Sequence, residues 1–158
     1  MLYQLSYVGP AFAARSVRTM RDLSPAEIDA FLHRQRIARI GCNAGGETYV
    51  VPVIYAYDDS AMYVVTTEGK KIDLMRANPS VCVEVDEYDA DGKGSWRSVI
   101  AQGTYEELEG GAVLAALQLL RNAFTRVSGR TPATRERPAD MVVFRVALGE
   151  TTGRAQER

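Results

Sequence analysis

Apolar positions along the chain follow two different periods. Between residues 23 and 35, Ile28, Phe31 and Leu32 recur at three- and four-residue intervals, which is one face of a helix. The preceding Leu23-Ser24-Pro25-Ala26-Glu27 is a helix start: Ser24 caps, Pro25 takes the first turn and Glu27 closes a capping box. This predicts a short amphipathic helix over 25–35. The pattern then changes to strand-like runs at 37–43, 48–57, 61–67, 81–87 and 96–108. Turns at Ala44-Gly45-Gly46, Asp58-Asp59-Ser60 and residues 89–94 separate most of them. Residues 71–77 read as a short helix that stops before Asn78-Pro79, because a residue preceding proline is pushed out of helical geometry. A long helix over 112–127 and a strand over 141–148 complete the pattern.

Connections this short leave no room for crossover helices, so the sheet is expected to be largely antiparallel. Six such strands hide their edges most simply by curling up, which predicts a mainly β fold, a six-stranded antiparallel barrel with peripheral helices. With 158 residues the chain can bury one sizeable core and is too short for two ordinary domains. The expected layout is an N-terminal arm at 1–20, one domain at 21–150 and a C-terminal tail at 151–158. The helix over 112–127 carries a broad apolar face, from Val113 and Leu114 to Phe124 and Val127. That face suits packing on the barrel, a subunit contact or a cleft wall. The arginine-bearing stretch 130–138 suits a solvated loop or a cover over a cleft mouth.

Composition narrows the function by exclusion. A net charge of -1 with acidic and basic residues interspersed gives no concentrated basic face for nucleic acid. The first twenty residues place their apolar positions before their arginines, the reverse of a signal peptide, and no window offers about 18 uncharged apolar residues for a membrane span. A cytoplasmic protein is the expectation. Cys42 and Cys82 lie in apolar runs without CxxC spacing, which suits small core residues. His33 is the only histidine and sits in a polar helical stretch, so it reads as a surface residue and no metal centre is expected.

Candidate chemistry concentrates between residues 49 and 103. Thr66-Thr67-Glu68-Gly69-Lys70-Lys71 closes a strand and opens a helix. Hydroxyls, helix-start N–H groups and two ammonium groups can all point at one dianion, and the same residues can equally form a polar turn with exposed lysines. Within Val50-Val51-Pro52-Val53-Ile54-Tyr55, the proline lacks a ladder donor and belongs at an edge, a bulge or a point of departure from the sheet. A break there frees backbone groups for the edge of a heterocycle, or simply protects an edge strand. In Gly94-Ser95-Trp96-Arg97-Ser98-Val99, the only tryptophan of the chain can wall a planar ligand while Arg97 holds an anion, or it can cover the barrel end. Tyr55 and Tyr57 are the first residues to consider as a general acid or base, against a packing role on their strand.

In their order and spacing these segments resemble the pyridoxamine 5'-phosphate oxidase-like family of FMN-binding split barrels, especially its nitroimidazole-reductase-like branch. The resemblance is carried by Arg39-Ile40-Gly41, Tyr49-Val50-Val51-Pro52-Val53, Met62-Tyr63-Val64-Val65-Thr66, Gly69-Lys70-Lys71, Asn78-Pro79, Val81-Cys82-Val83-Glu84-Val85-Asp86 and Trp96-Arg97-Ser98-Val99. It implies a split barrel that dimerises with a second copy, with FMN in clefts at the subunit interface. By position, Thr66, Thr67, Lys70 and Lys71 match the phosphate-binding stretch, and Val51, Pro52 and Val53 match the strand whose backbone meets the isoalloxazine. Ser98, with Trp96 and Arg97, matches the strand start that touches the flavin or the partner subunit's cofactor. The implied activity is an FMN-dependent oxidoreductase that takes electrons from a reduced nicotinamide to a small organic acceptor. A protein that stores or senses flavin, or a cleft holding haem or a deazaflavin, are the alternatives the family's breadth implies. Two departures argue against the best-known activities: Val65 stands where the branch often has histidine, and no Arg-x-His stretch occurs near the C-terminus.

Overall fold

The computed structural model describes residues 19–88, 94–129 and 139–157, and the capping signals around Ser24 act there as the sequence predicts. Helix α1 spans Pro25–Arg34; the Glu27 N–H donates to Ser24 Oγ at 3.3 Å, and the Ser24 N–H donates to Glu27 Oε2 at 2.8 Å. Strands β2 (Ile37–Ala44) and β3 (Glu47–Tyr57) are joined by Gly45 and Gly46 at φ +59° and +81°. Two successive positive φ values make the tight turn whose twist suits a hairpin, and glycine adopts them without a Cβ penalty. In the next turn the Asp58 carboxylate accepts from the N–H groups of Ser60 and Ala61 at 3.1 and 2.9 Å, which starts β4 (Ala61–Thr67). Then come α2 (Lys70–Ala77), β5 (Ser80–Tyr88), β6 (Trp96–Glu107), α3 (Gly110–Ser128) and β7 (Met141–Glu157). The expected arm up to residue 18, the hairpin tip 89–93 and the loop 130–138 lie outside the described residues.

All pairings are antiparallel, and they close a ring in the order β7-β4-β3-β2-β5-β6 and back to β7. The expected six-stranded barrel is present, with one addition. A short strand β1 (Thr19–Asp22), placed at the junction of the expected arm and domain, pairs with residues 154–157 of β7. The second correction concerns β7 itself, which continues to residue 157 instead of stopping at 148 and giving way to a tail. Its first half pairs with β4 from Ala147 to Met141; its second half has lost β4 and gained β1. Between the halves, β7 spends three positions from Leu148 to Thr151 where β6 spends two, from Gly103 to Ala101. The extra residue is a bulge that shifts the inward phase from Val142, Phe144 and Val146 to Gly153 and Ala155.

The barrel interior is filled by the inward residues of the strands, with Phe31 and Leu32 of α1 closing one end and Ile72 and Met75 of α2 closing the other. Tyr55 is 1% exposed, and its hydroxyl donates to the Leu32 carbonyl at 2.8 Å, which ties the barrel wall to the end of α1. Helix α3 lies on the outside: Leu120 and Ala123 cover Ala56, and Val113 and Ala116 cover Val143. Its broad apolar face therefore packs mainly on the barrel, leaving Leu114 and Phe124 exposed. No described helix is long and apolar enough to cross a membrane.

Candidate functional site

Strands β3 and β4 stay together over only three residue pairs, Tyr55–Val64, Ala56–Tyr63 and Tyr57–Met62. Below them β3 runs on to Glu47 with β2 as its neighbour, while β4 runs on to Thr67 with β7 as its neighbour. The sheet opens there into a cleft. One lip is residues 47–54 of β3; the other is the end of β4 and the loop leading into α2.

Hydrogen-bond parity fixes what the β3 lip offers. The Tyr55 N–H donates to the Arg36 carbonyl at 3.0 Å, so in this unbroken antiparallel register Tyr55, Val53 and Val51 turn their backbone groups toward β2. Val50, Pro52 and Ile54 turn theirs toward the cleft. Pro52 opposes Arg39 at a position that exchanges no ladder bond, so its missing N–H costs the sheet nothing and its carbonyl faces the opening. Of the three residues expected to present backbone to a ring, Pro52 does so. Val51 and Val53 face β2 with their backbones and the core with their side chains, and it is their neighbours Val50 and Ile54 that turn backbone groups to the other side, the Ile54 carbonyl at the last rung shared with β4. Sequence alone hides this, because the parity depends on the bond between Tyr55 and Arg36. Val50, Ile54 and Val65 are 59%, 49% and 41% exposed, which gives the lips an apolar surface.

The opposite lip gathers the hydroxyl and lysine residues. Thr66 and Thr67 end β4, paired with Val142 and Met141 of β7. The Glu68 N–H donates to the Asp140 carbonyl at 3.0 Å, and Gly69 turns the chain into α2 at φ +152°, a value that L side chains rarely adopt. Gly69 brings no capping side chain; its carbonyl accepts from the N–H groups of Ile72 and Asp73, and those of Lys70 and Lys71 lead the helix. Uncapped leading N–H groups with two ammonium side chains suit an anion. In this state Lys70 is ion-paired with Glu47 and lies 5.0 Å from the centre of the Tyr49 ring, so it bridges the two lips. Glu47 holds the Lys70 ammonium above its ordinary range. Arg76 fastens the loop from behind, binding both oxygens of Glu68 at 2.8 and 2.9 Å and both oxygens of Glu107 at 2.9 and 2.8 Å.

Trp96, Arg97 and Ser98 lie elsewhere. They begin β6, paired with Tyr88, Glu87 and Asp86 on one side and with Gln156, Ala155 and Arg154 on the other. Three strand spacings separate β6 from β3, roughly 14 Å around the barrel wall. The ten candidate residues thus form two groups: seven around one cleft and three on a distant strand. Ser98 instead borders a cavity of about 560 Å³ with Leu23, Ile28 and Gly153.

Neither tyrosine considered for acid–base work opens into this cleft. Burial drives the Tyr55 hydroxyl well above its usual range, and it is spent on Leu32. The Tyr57 hydroxyl is likewise pushed up, by burial first and then by the Asp29 carboxylate to which it donates at 3.1 Å. Both act as structural donors.

Comparison with known proteins adds the relatives of this arrangement. A family model described as pyridoxamine 5'-phosphate oxidase matches residues 24–155. An uncharacterized protein of Rhizobium meliloti (strain 1021) is 33% identical over 89 residues, which span 56% of this chain and 58% of that relative. The crystal structure of an FAD-binding protein from Mesorhizobium loti superposes with a TM-score of 0.73 at 34% identity, covering 89% of this chain and 99% of the other. A Bacteroides thetaiotaomicron structure ascribed to 5-nitroimidazole antibiotic resistance gives a TM-score of 0.73 at 19% identity, over 88% and 89% of the two chains. At that identity the likeness is one of fold.

Proposed function

Since the chain belongs to the pyridoxamine 5'-phosphate oxidase family, we propose that it binds FMN in the cleft between β3 and β4 and serves as an oxidoreductase. The observation that carries this reading is the pairing of an open β3 edge with an uncapped, lysine-bearing start of α2 on the facing lip. The cleft fits the cofactor's two chemistries. Val50, Pro52 and Ile54 offer backbone groups and apolar surface to a flat heterocycle, and Thr66, Thr67, Lys70 and Lys71 offer donors and charge to its phosphate. Lys70, now ion-paired with Glu47, would be the residue to turn from that carboxylate to the cofactor's phosphate. The flavin supplies the redox chemistry, taking electrons from a reduced nicotinamide and delivering them to a small organic acceptor. The protein's part is to hold the ring edge, fix the phosphate and exclude water from the ring face.

We further propose that the working unit is a homodimer. Ile37, Val50, Ile54 and Ile100 are 57%, 59%, 49% and 45% exposed on the outer face of β3, β2, β5 and β6. Arg39 crosses the middle of that face, bonded to Glu84 at 3.0 Å and to Asp86 at 2.5 Å. A second copy over this face would bring Trp96, Arg97 and Ser98 to its partner's cleft, which accounts for their distance from their own.

A second reading of the cofactor is FAD, favoured by the 34% identical FAD-binding relative. Titrating the purified chain with FMN, FAD and riboflavin separates the readings. FMN should bind tightest, and Lys70→Ala/Lys71→Ala should weaken FMN by about 10- to 100-fold while leaving riboflavin nearly unchanged. Equal loss for both ligands removes the phosphate assignment, and tightest binding of FAD replaces the cofactor. Flavin that binds but is not reduced by NAD(P)H converts the oxidoreductase into a flavin carrier.

A further inference from the structure

At the other end of the barrel, three side chains from two elements converge beside a cavity that the flavin reading leaves unused. Asp29 and His33 are four residues apart on α1 and so share one helix face. Asp59 comes from the β3–β4 turn, where its φ of +76° carries the carboxylate toward the helix. One ligating atom from each, the His33 ring nitrogen and a carboxylate oxygen of each aspartate, lies within 4.8 Å of the other two.

The surroundings orient this trio. Tyr57 donates its hydroxyl to Asp29 Oδ1 at 3.1 Å, and its ring meets the His33 imidazole edge-on at 4.9 Å between centroids. His33 Nε2 is hydrogen-bonded to Asp59 Oδ1. The ring that would bind is therefore already turned toward the two carboxylates, and a neighbouring hydroxyl holds one of them. Such outer partners are what fix ligands at metal centres. The nearby basic side chains are committed elsewhere: Arg34 to Glu87 at 2.8 Å, and Arg36 to the carbonyls of His33 and Gln35 at 2.6 Å each. Asp58, the next acidic group, is occupied by Ser60, Ala61 and Tyr63. Asp29 and Asp59 also line a cavity of about 590 Å³ that runs between α1, the turn and the β7 bulge at Gly149, with room for several water molecules.

We propose that Asp29, His33 and Asp59 bind a divalent transition-metal ion, Zn²⁺ or Mn²⁺, with water from the adjacent cavity completing its coordination. One imidazole nitrogen and two carboxylate oxygens form a mixed N,O set suited to these ions, and three protein ligands leave an open position. Ligand atoms held at about 2.0–2.2 Å from an ion sit some 3.3 Å apart, so modest side-chain rotation closes the present arrangement around it. On coordination His33 Nε2 exchanges its hydrogen bond with Asp59 for the ion, which requires that nitrogen in its unprotonated form. This site fastens α1 to the turn that begins β4. It stands apart from the flavin cleft and does not depend on the cofactor reading.

The single histidine makes the test direct. In a tag-free, chelator-treated full chain labelled with ¹⁵N-histidine, added Zn²⁺ should shift the Nε2 resonance at one equivalent per chain and raise the melting temperature. Mn²⁺ should broaden the same resonance. Calorimetry on Asp59→Asn and His33→Gln should give at least a tenfold loss of Zn²⁺ affinity with the far-ultraviolet circular dichroism unchanged. A wild-type His33 resonance that ignores millimolar Zn²⁺ and Mn²⁺ overturns the proposal, as does full affinity in both folded variants. Should either variant not fold, the wild-type resonance still decides.

Discussion

A methyl group added at Gly103 should damage the barrel seam, and the amount can be worked from the structure. A Cβ at this position meets Val146 Cγ1 at 2.4 Å and the Ala147 carbonyl oxygen at 3.2 Å. Relief requires Val146 to retreat by about 1 Å, yet its side chain is fully buried, β-branched and held on a strand paired on both edges, to Met62 and to Tyr105. Overpacking of this kind costs about 1–3 kcal/mol, from which the intrinsic gain of alanine over glycine in a strand, about 0.5–1 kcal/mol, is subtracted. Gly103→Ala should thus lose about 1 kcal/mol and at most about 2.5 kcal/mol, at roughly 2–4 °C in Tm per kcal/mol for a chain of this size. Gly149→Ala is the control: its Cβ meets only the Gln102 carbonyl oxygen at 3.4 Å, and stability should barely change. The decisive assay is a double-mutant cycle by urea denaturation. Val146→Ala alone leaves a cavity, but in its background Gly103→Ala should cost nothing and can recover the intrinsic gain, so the coupling equals the overpacking of about 1–3 kcal/mol. If Gly103→Ala destabilises the Val146→Ala protein as much as the wild type, the steric reasoning is wrong.

Three further outcomes are expected. Tyr55→Phe strands the buried Leu32 carbonyl and should lower stability by about 1–3 kcal/mol in denaturant melts, with the fold intact. The Glu27 carboxyl is lowered from 4.5 to about 2, first by its hydrogen bond from Arg21 and then by those from Ser24. A depressed folded-state pKa adds stability above the unfolded value, and that stability is lost as pH falls toward the folded one. The stability gap between wild type and Glu27→Gln should therefore close between pH 4.5 and about 2, and a gap constant across that window refutes the assignment. Arg76→Gln removes four hydrogen bonds from half-exposed partners, so melting should move little while FMN affinity drops several-fold as the loop at Glu68 loosens. Unchanged FMN affinity would show that the loop holds its shape without Arg76.

Much of this architecture is legible in the residues, because most elements carry local signals: the capping box at Ser24, the glycine pair at 45–46 and the alternation of Val81, Val83 and Val85. The second half of β7 is not, and the reason is packing. Its inward positions are Gly153 and Ala155, since a Cβ at 153 would meet Ile28 at 2.8 Å and Leu23 at 3.0 Å. Space taken by the entry into α1 removes the hydrophobic alternation that marks a strand. β1 is equally silent, as all four of its residues are exposed. In the cleft, the residue types at 66–71 were enough to bring the cationic lip together, whereas the direction in which Val50, Pro52 and Ile54 turn their backbone groups follows from a register that no single residue encodes. The trio of Asp29, His33 and Asp59 was hidden for another reason: its members meet only because β3 and β4 return the chain to α1.

β7 has a consequence in time as well as in space. Of the seven strands among the described residues it is the last to be synthesised, yet it covers edges of β1, β4 and β6. Until residues 141–157 arrive, those three strands present unsatisfied edges, and the pairs that β7 makes join residues as distant in sequence as Thr19 and Glu157. Such long-range closure makes folding slow compared with helix formation and leaves the nascent chain exposed to intermolecular pairing. The ribosome therefore delivers a sticky open sheet first and its fastener last, and the yield of folded protein depends on how quickly that final strand finds its three neighbours.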